Sequence, residues 1–183
     1  MNKLIAIVGM CGSGKSIASD YYGKLGYQKI YFGGVTMDKL KEAGLEVTPE
    51  NERAMREGLR KEYGMAAYAI MLLPKIKALL NIGNVVLDGL YSWDELKVLK
   101  ENFSNLKVIA IVVNKDKRYS RLACREIRPF NNEEAKTRDI TEIENLAKAG
   151  PIAFADYYIL NDDNLDKYYK DLDNITKLIS EED

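Results

Sequence analysis

Short runs in which every position is apolar alternate along this chain with longer stretches whose apolar residues recur every three or four positions. Leu4-Ile5-Ala6-Ile7-Val8 is the first such run. An unbroken apolar pentapeptide suits a strand covered on both faces, because a half-exposed strand would alternate. Ile17, Ala18, Tyr21, Tyr22 and Leu25 then fall at helical spacing, and Gly26 supplies a stop. Gln28 to Phe32 reads as a second strand closed by Gly33-Gly34, and Thr36 to Glu42 as a helix ending at Gly44. Thr48 is placed to cap the next helix, with Pro49 in its first turn and Met55, Leu59 and Tyr63 at four-residue spacing before Gly64. Met65 to Leu80 is apolar nearly all round and predicts a buried helix bent at Pro74.

Val85-Val86-Leu87-Asp88 is a strand ending in an acid, Trp93 to Asn102 is helical, and Leu106 to Val113 is another buried strand. From Lys115 to Arg138 the character turns Arg-rich and polar, interrupted by Pro129 and Asn131-Asn132, which predicts a mobile lid rather than core. Glu142 to Ala149 is helical up to Gly150-Pro151, Ala155 to Leu160 is the last strand, and Leu165 to Ile179 is an amphipathic helix. Buried strands alternating with helices imply parallel pairing through right-handed crossovers. The expected fold is therefore α/β, a doubly wound five-stranded parallel sheet. It forms one domain over residues 1–183, with a helical insertion at about 33–82 and an Arg-rich lid at about 115–138.

Composition narrows the functions available. At 183 residues, 46% hydrophobic and 30% charged, the chain is an ordinary globular domain. A formal net charge of -1 gives no global attraction to nucleic acid or anionic membrane. Cys11 and Cys124 form neither a disulfide framework nor a metal cluster, and the absence of histidine excludes a His-based zinc site or a Ser-His-Asp triad. Strand residues begin close to Met1, so no signal peptide is expected. The longest apolar run, Met65 to Leu73, is about half the ~20 residues a membrane span needs. A cytoplasmic protein, monomer or homodimer, is expected.

The strongest chemical signal is Gly9-Met10-Cys11-Gly12-Ser13-Gly14-Lys15-Ser16, a complete P-loop, G-x-x-x-x-G-K-[ST], set between the first strand and a helix that opens with Ile17. Glycines let successive backbone N–H groups turn toward phosphate oxygens, Lys15 reaches the β- and γ-phosphates, and the Ser16 hydroxyl can hold Mg²⁺. The helix N-terminus adds its own attraction for anions. Cys11 beside Lys15 reads as a small apolar filler before it reads as an oxidation-sensitive thiol. Asn114-Lys115-Asp116-Lys117 invites a GTPase reading, but the fourth position of N-K-x-D is Lys117, and no D-x-x-G motif is present. Asp88 is followed by Gly89 rather than a second carboxylate to activate water, which argues against an AAA-type ATPase.

Phosphoryl transfer between small molecules asks mainly for alignment and positive charge. Arg118, Arg121, Arg125 and Arg128, spaced three or four apart, would project from one helical face, with Arg138 just beyond. The alternative is a solvated face paired with Glu126, Glu133 and Glu134; as a group beside a P-loop the arginines favour function.

Gly9 to Ser16, Val86-Leu87-Asp88-Gly89, Arg121-Leu122 with Arg125, Arg138-Asp139, and Ala155-Asp156-Tyr157 with Asn161-Asp162 resemble, in that order, the adenylate-kinase and dephospho-CoA-kinase group of P-loop kinases. The chain is most similar to the adenylate-kinase-like, dephospho-CoA-kinase-related proteins, nearly end to end. The resemblance implies that Arg121 sits against the adenine of ATP, that Arg125 and Arg138 clamp the transferred phosphoryl, and that Asp88 holds Mg²⁺ through water. It also implies that the loop from Asn161 and Asp162 passes the adenine edge. The 33–82 insertion becomes the acceptor side, with Gly33, Gly34, Asp88, Gly89 and Tyr91 near the acceptor. Tyr91 stands where nucleoside monophosphate kinases carry an arginine for the acceptor phosphate, and Phe32-Gly33-Gly34-Val35 replaces the acid-rich motif of dephospho-CoA kinases. Arg53, Arg56 and Arg60 could supply the missing phosphate contacts or pair locally with Glu57 and other acids.

The expected activity is transfer of the γ-phosphoryl of ATP, with Mg²⁺, to a small nucleotide-like acceptor, a nucleoside monophosphate first and dephospho-CoA second. A regulator that binds ATP without turnover is the reading from another class. No nucleic-acid or membrane partner is expected.

Overall fold

The computed structural model describes residues 2–182. In chain order the elements are β1 (Leu4–Val8), α1 (Lys15–Lys24), β2 (Gln28–Tyr31), α2 (Gly34–Glu42), α3 (Pro49–Tyr63), α4 (Ala67–Leu80), β3 (Val85–Asp88) and α5 (Trp93–Asn102). They continue with β4 (Leu106–Val112), α6 (Lys115–Ala123), α7 (Asn132–Glu144), α8 (Ala149–Ala153), β5 (Tyr157–Leu160) and α9 (Leu165–Glu181). The five strands form one parallel sheet in the order β2-β3-β1-β4-β5. This is the doubly wound architecture that the alternating pattern predicts, with β1 at its centre.

Successive side chains of a strand point to opposite faces, and β1 divides accordingly. Leu4, Ala6 and Val8 pack with Tyr68, Leu72 and Ile76 of α4 and Leu96 and Leu99 of α5. Ile5 and Ile7 pack with Ala18 and Tyr22 of α1 and with Tyr168, Leu172 and Ile175 of α9. Burial on both faces explains why β1 and β3 read as unbroken apolar runs. It also places the ends of β1 and β3 side by side, since Ile7 pairs with Asp88.

Local signals set several boundaries. Thr48 accepts a hydrogen bond from the Asn51 N–H at 3.2 Å at the start of α3, and Pro49 occupies a position whose N–H needs no intrahelical acceptor. Ser92 and Glu95 close a reciprocal capping box on α5, as Asn131 and Glu134 do on α7.

Three expectations need correction. α4 runs unbroken through Pro74 and is buried along one side only: Ala67, Tyr68, Ala69, Leu72 and Ile76 face the sheet while Ile70 and Pro74 are exposed. The carbonyl that Pro74 leaves without an N–H partner belongs to Ile70, on the exposed side where water can serve it. The helix expected over Glu142 to Ala149 does not form: α7 begins at Asn132, within the stretch read as a lid, and stops at Glu144, while Gly150-Pro151 lies inside the short helix α8. Pro151 is the third residue of α8, where no intrahelical acceptor is lost. α6 stops at Ala123, so Arg118 and Arg121 share its surface while Arg125 and Arg128 lie beyond it. Pro129 disfavours helical geometry at the preceding residue, Arg128 adopts φ 53, and the Phe130 N–H turns back to the Leu122 carbonyl at 3.1 Å. Among the described residues no single helix is long and apolar enough to cross a membrane.

Leu87 in β3 is fully buried in the layer that holds α4 and α5. Leu87→Ala is expected to lower unfolding stability by about 2–5 kcal/mol through lost transfer energy and a residual cavity. Equilibrium denaturation that leaves the midpoint unchanged would contradict this packing.

Candidate functional site

The loop between β1 and α1 is held from outside by its carbonyls. Lys15 Nζ donates to the Met10 carbonyl at 2.9 Å, Arg118 Nη1 to that of Cys11 at 3.0 Å, Asn161 Nδ2 to that of Ser13 at 2.9 Å, and the Tyr168 hydroxyl to that of Gly14 at 3.0 Å. Gly14 adopts φ 97, and a Cβ there would lie 2.6 Å from Asn161 Nδ2, so the brace requires glycine. Ser13 Oγ is buried without a partner. α1 then begins at Lys15 with neither a side-chain cap nor an acid in its first turn. Side chains cap α3, α5, α6, α7 and α9 through Thr48, Ser92, Asn114, Asn131 and Asn164, whereas α2, α4 and α8 start uncapped as α1 does. The N–H groups of the first turn of α1 are left for an anion.

Burial, and then the Lys148 ammonium, push Lys15 down to about 7, against weaker support from Glu142, Cys11 and Asp88. A phosphate placed at the loop would reverse this by favouring the charged form.

Asp88, at the end of β3, accepts from Ser19 Oγ at 2.8 Å and Lys29 Nζ at 3.2 Å, both at Oδ2. Ser16 is exposed in the first turn of α1. A serine hydroxyl and a carboxylate are hard oxygen donors of the type Mg²⁺ takes alongside phosphate oxygens and water. Among the described residues no group of three or more His, Cys, Asp or Glu could hold a metal alone, so Mg²⁺ here would depend on a bound phosphate.

The arginines divide by partner. Arg118 is buried and makes a two-point fork with Asp139 of α7, at 2.9 and 2.6 Å, so it serves as a structural strut. Arg121 Nη2 donates to the Asn161 carbonyl at 2.9 Å, which brings together two residues expected beside adenine. The Asn161 N–H is itself given to the Val112 carbonyl at 2.8 Å, and Asp162 Oδ1 accepts from the Asn114 N–H at 2.8 Å, so this loop is fixed. Arg125 Nη1 lies 3.8 Å from Cys11 Sγ, against the P-loop. Arg128 turns away to Glu52 of α3 at 3.4 Å. Arg138 Nε donates to Glu142 Oε1 at 2.9 Å.

At the end of β2, Tyr31 lies over Gly33, where a Cβ would come within 2.4 Å of the ring. Gly34 starts α2, and Gly89 leads from Asp88 to Tyr91, whose ring is close enough that a Cβ on Gly89 would meet it at 3.3 Å. Arg53 pairs with Glu57 at 2.8 Å on the exposed surface, and Arg56 pairs with Glu52 at 3.2 Å. Arg60 is half-buried with its guanidinium 5.5 Å from the centre of the Tyr68 ring, and its Nε is buried without a partner. Glu95 Oε1 is likewise buried and unpartnered, and burial pushes its carboxyl up to about 7.

Periodicity gave no sign of Lys148. It is buried, with Nζ 2.6 Å from Glu142 Oε2 and 4.9 Å from the centre of the Tyr91 ring. Glu142 was legible at most as an i,i+4 partner of Arg138.

A five-stranded parallel sheet of this order with a P-loop after β1 defines a P-loop domain of kinase architecture. Residues 5–139 match the family model described as an AAA domain. The match spans the P-loop core through Asp139, in which Asp88 is followed by Gly89. The chain belongs to the UPF0200 family. It is 34% identical to the UPF0200 protein of Pyrococcus abyssi over 96% of this chain and 96% of that one. Its fold is similar to shikimate kinase from Bacteroides thetaiotaomicron, with TM-score 0.63 and 16% identity, covering 98% of this chain and 99% of that one. Dephospho-CoA kinase from Campylobacter jejuni gives TM-score 0.57 and 15% identity, covering 97% of both chains.

The depressed Lys15 makes anion binding a proton-linked event. Near pH 8 the empty protein carries Lys15 mostly neutral, and a bound polyphosphate raises its affinity for a proton, so binding of Mg-ADP takes up to about one proton. Below about pH 6 Lys15 is already charged and the uptake vanishes. Calorimetry in buffers of different ionisation enthalpy measures it, and Lys15→Met should abolish it.

Proposed function

We propose that the protein is an ATP-dependent small-molecule kinase that moves the γ-phosphoryl group, with Mg²⁺, to a nucleotide-like acceptor, a nucleoside monophosphate before any other. The observation that carries this reading is the complete P-loop, braced through its carbonyls at the N-terminus of α1 with Lys15 half-buried beside it; Arg125 against Cys11 and Arg138 beside Glu142 support it. In this reading the P-loop N–H groups and Lys15 hold the β- and γ-phosphates. Arg121 and the Asn161–Asp162 loop border the adenine. Arg125 and Arg138 meet the charge that spreads over the transferred oxygens. Ser16 and Asp88 would hold Mg²⁺, which supplies further charge neutralisation between the phosphates when bound. Inward movement of the 124–131 connection between α6 and α7 would exclude water from the reacting groups.

The acceptor would lie between Tyr31, Gly33, Gly89 and Tyr91. Of the three arginines on α3, Arg60 is the one placed to contribute, because Arg53 and Arg56 are paired with acids of their own helix. That diversion favours dephospho-CoA as second acceptor, since a long acceptor can be held through its tail rather than a clamped phosphate.

The decisive experiment offers Mg-ATP with a panel of nucleoside monophosphates, deoxynucleotides and dephospho-CoA and follows ADP production. At least one acceptor should be phosphorylated. Arg125→Ala or Arg138→Ala should lower kcat by roughly 10²–10⁵ with a much smaller change in the ATP dissociation constant. A wild-type protein that binds ATP tightly and phosphorylates nothing would favour the nucleotide-sensing regulator.

A further inference from the structure

Arg138 and Asp139 are adjacent on α7, yet their ion pairs are built differently. Asp139 and Arg118 form a closed fork in which both carboxylate oxygens meet both terminal guanidinium nitrogens. Glu142 is just as buried, but only its Oε1 meets Arg138, and only through Nε. Lys148 occupies the other oxygen, Oε2, at 2.6 Å. Among the described residues the terminal nitrogens of Arg138 make no hydrogen bond to protein.

Charge balance alone does not explain Lys148. Arg138 already neutralises Glu142, and a buried ammonium added to that pair leaves an excess of positive charge next to Lys15. Burying such an excess opposes folding, and apolar residues would fill the space at least as favourably. The chain also accepts a left-handed backbone at Ala147, φ 49, to reach this arrangement. That turn is closed by the Lys148 N–H donating to the Glu142 carbonyl at 3.1 Å, which aims the ammonium back at the carboxylate. The Tyr91 ring covers its other side, a contact that an arginine at position 91 would replace with repulsion.

We infer that Lys148 is a positioning residue: by occupying Glu142 Oε2 it denies Arg138 the bidentate pairing a guanidinium prefers, and keeps the terminal nitrogens of Arg138 available to the transferred phosphoryl group. The inference rests on the kinase reading and assigns Lys148, Glu142 and Tyr91 a shared task within it. Without Lys148, Arg138 closes on Glu142 as Arg118 does on Asp139, and the cleft loses its donor. Lys148 itself touches no substrate.

The test uses Mg-ADP with and without aluminium fluoride, a mimic of the phosphoryl group in flight, so no acceptor need be known. In the wild type, fluoride complexes should tighten ADP binding. Lys148→Met should remove at least about tenfold of that tightening while ADP alone binds within about threefold of wild type, and Lys148→Arg should restore most of it. Arg138→Ala should lose the same amount, and the double variant K148M/R138A should be no worse than R138A, because both changes delete one interaction. Glu142→Gln, which takes away the second carboxylate oxygen on which Arg138 would close, should restore much of the tightening in the K148M background, and its failure to do so would also overturn the assignment. Lys148→Gln, uncharged and polar, replaces K148M in the same comparisons should K148M fail to fold. Additive losses in the double variant, or full tightening in K148M, would overturn the assignment. A wild type that shows no tightening fails at the kinase reading itself and takes the assignment with it.

Discussion

The structure depends on how the carbonyls of the P-loop are satisfied. Any loop that turns its N–H groups inward toward an anion must turn carbonyls outward, and buried carbonyls need donors. Here the donors arrive from elements far away in sequence: Arg118 from α6, Asn161 from the end of β5, and Tyr168 from α9. Two of the three are themselves held, Arg118 by Asp139 and Asn161 by the Val112 carbonyl. The right-hand half of the sheet, from β4 to α9, is thus tied to the loop by polar contacts as well as by the apolar layer around Tyr22, Tyr168 and Leu172.

Electrostatics separates the parts that hold the fold from the parts that face a ligand. The Arg118–Asp139 fork is saturated and buried, and has no capacity left. Around Lys15, by contrast, positive groups outnumber negative ones. Burial lifts the Glu142 carboxyl, but Lys148 and Arg138 outweigh it and hold it below the usual carboxylate range, while the Lys148 ammonium, itself pushed down by burial, lowers Lys15. With Glu142 and Lys148 buried, Lys15 half-buried and Arg138 exposed, the excess positive charge of this cluster is best balanced by an anion. The start of α1, without a cap or a first-turn acid as α2, α4 and α8 are, adds the positive end of its dipole directly after the P-loop.

The α3 face is built more loosely from charge. Arg53 and Arg56 are engaged by carboxylates on their own helix, where the i,i+4 geometry brings partners together without any tertiary contact. Arg60 escapes this because it lies over Tyr68, which α4 carries into the core and which hydrogen-bonds to Thr36 at 2.7 Å. Burial of Glu95 on α5, with one oxygen capping the helix and the other unpartnered, leaves a polar edge on the same side.

The sequence by itself determined the strands, the P-loop and several helix starts, because each rests on local physics: unbroken apolar runs for strands buried on both faces, glycines for left-handed turns, and Thr48 beside the donor it caps. The start of α7 at Asn132, capped by Asn131, lay hidden in the polar stretch read as a lid. It misjudged α4, whose apolar composition concealed a single buried side, and it extended the Arg118–Arg128 periodicity past the point where Pro129 forces the chain to turn. It could not tell which arginine is tied into the fold, since Arg118 and Arg125 look alike until Asp139 and Cys11 are placed against them. Lys148 was invisible for the same reason. Its neighbours in space, Glu142 and Tyr91, come from α7 and from the loop after β3, and only tertiary packing brings a buried ammonium between them. Periodicity reports which face of an element is covered; which charge meets which is decided by the fold as a whole.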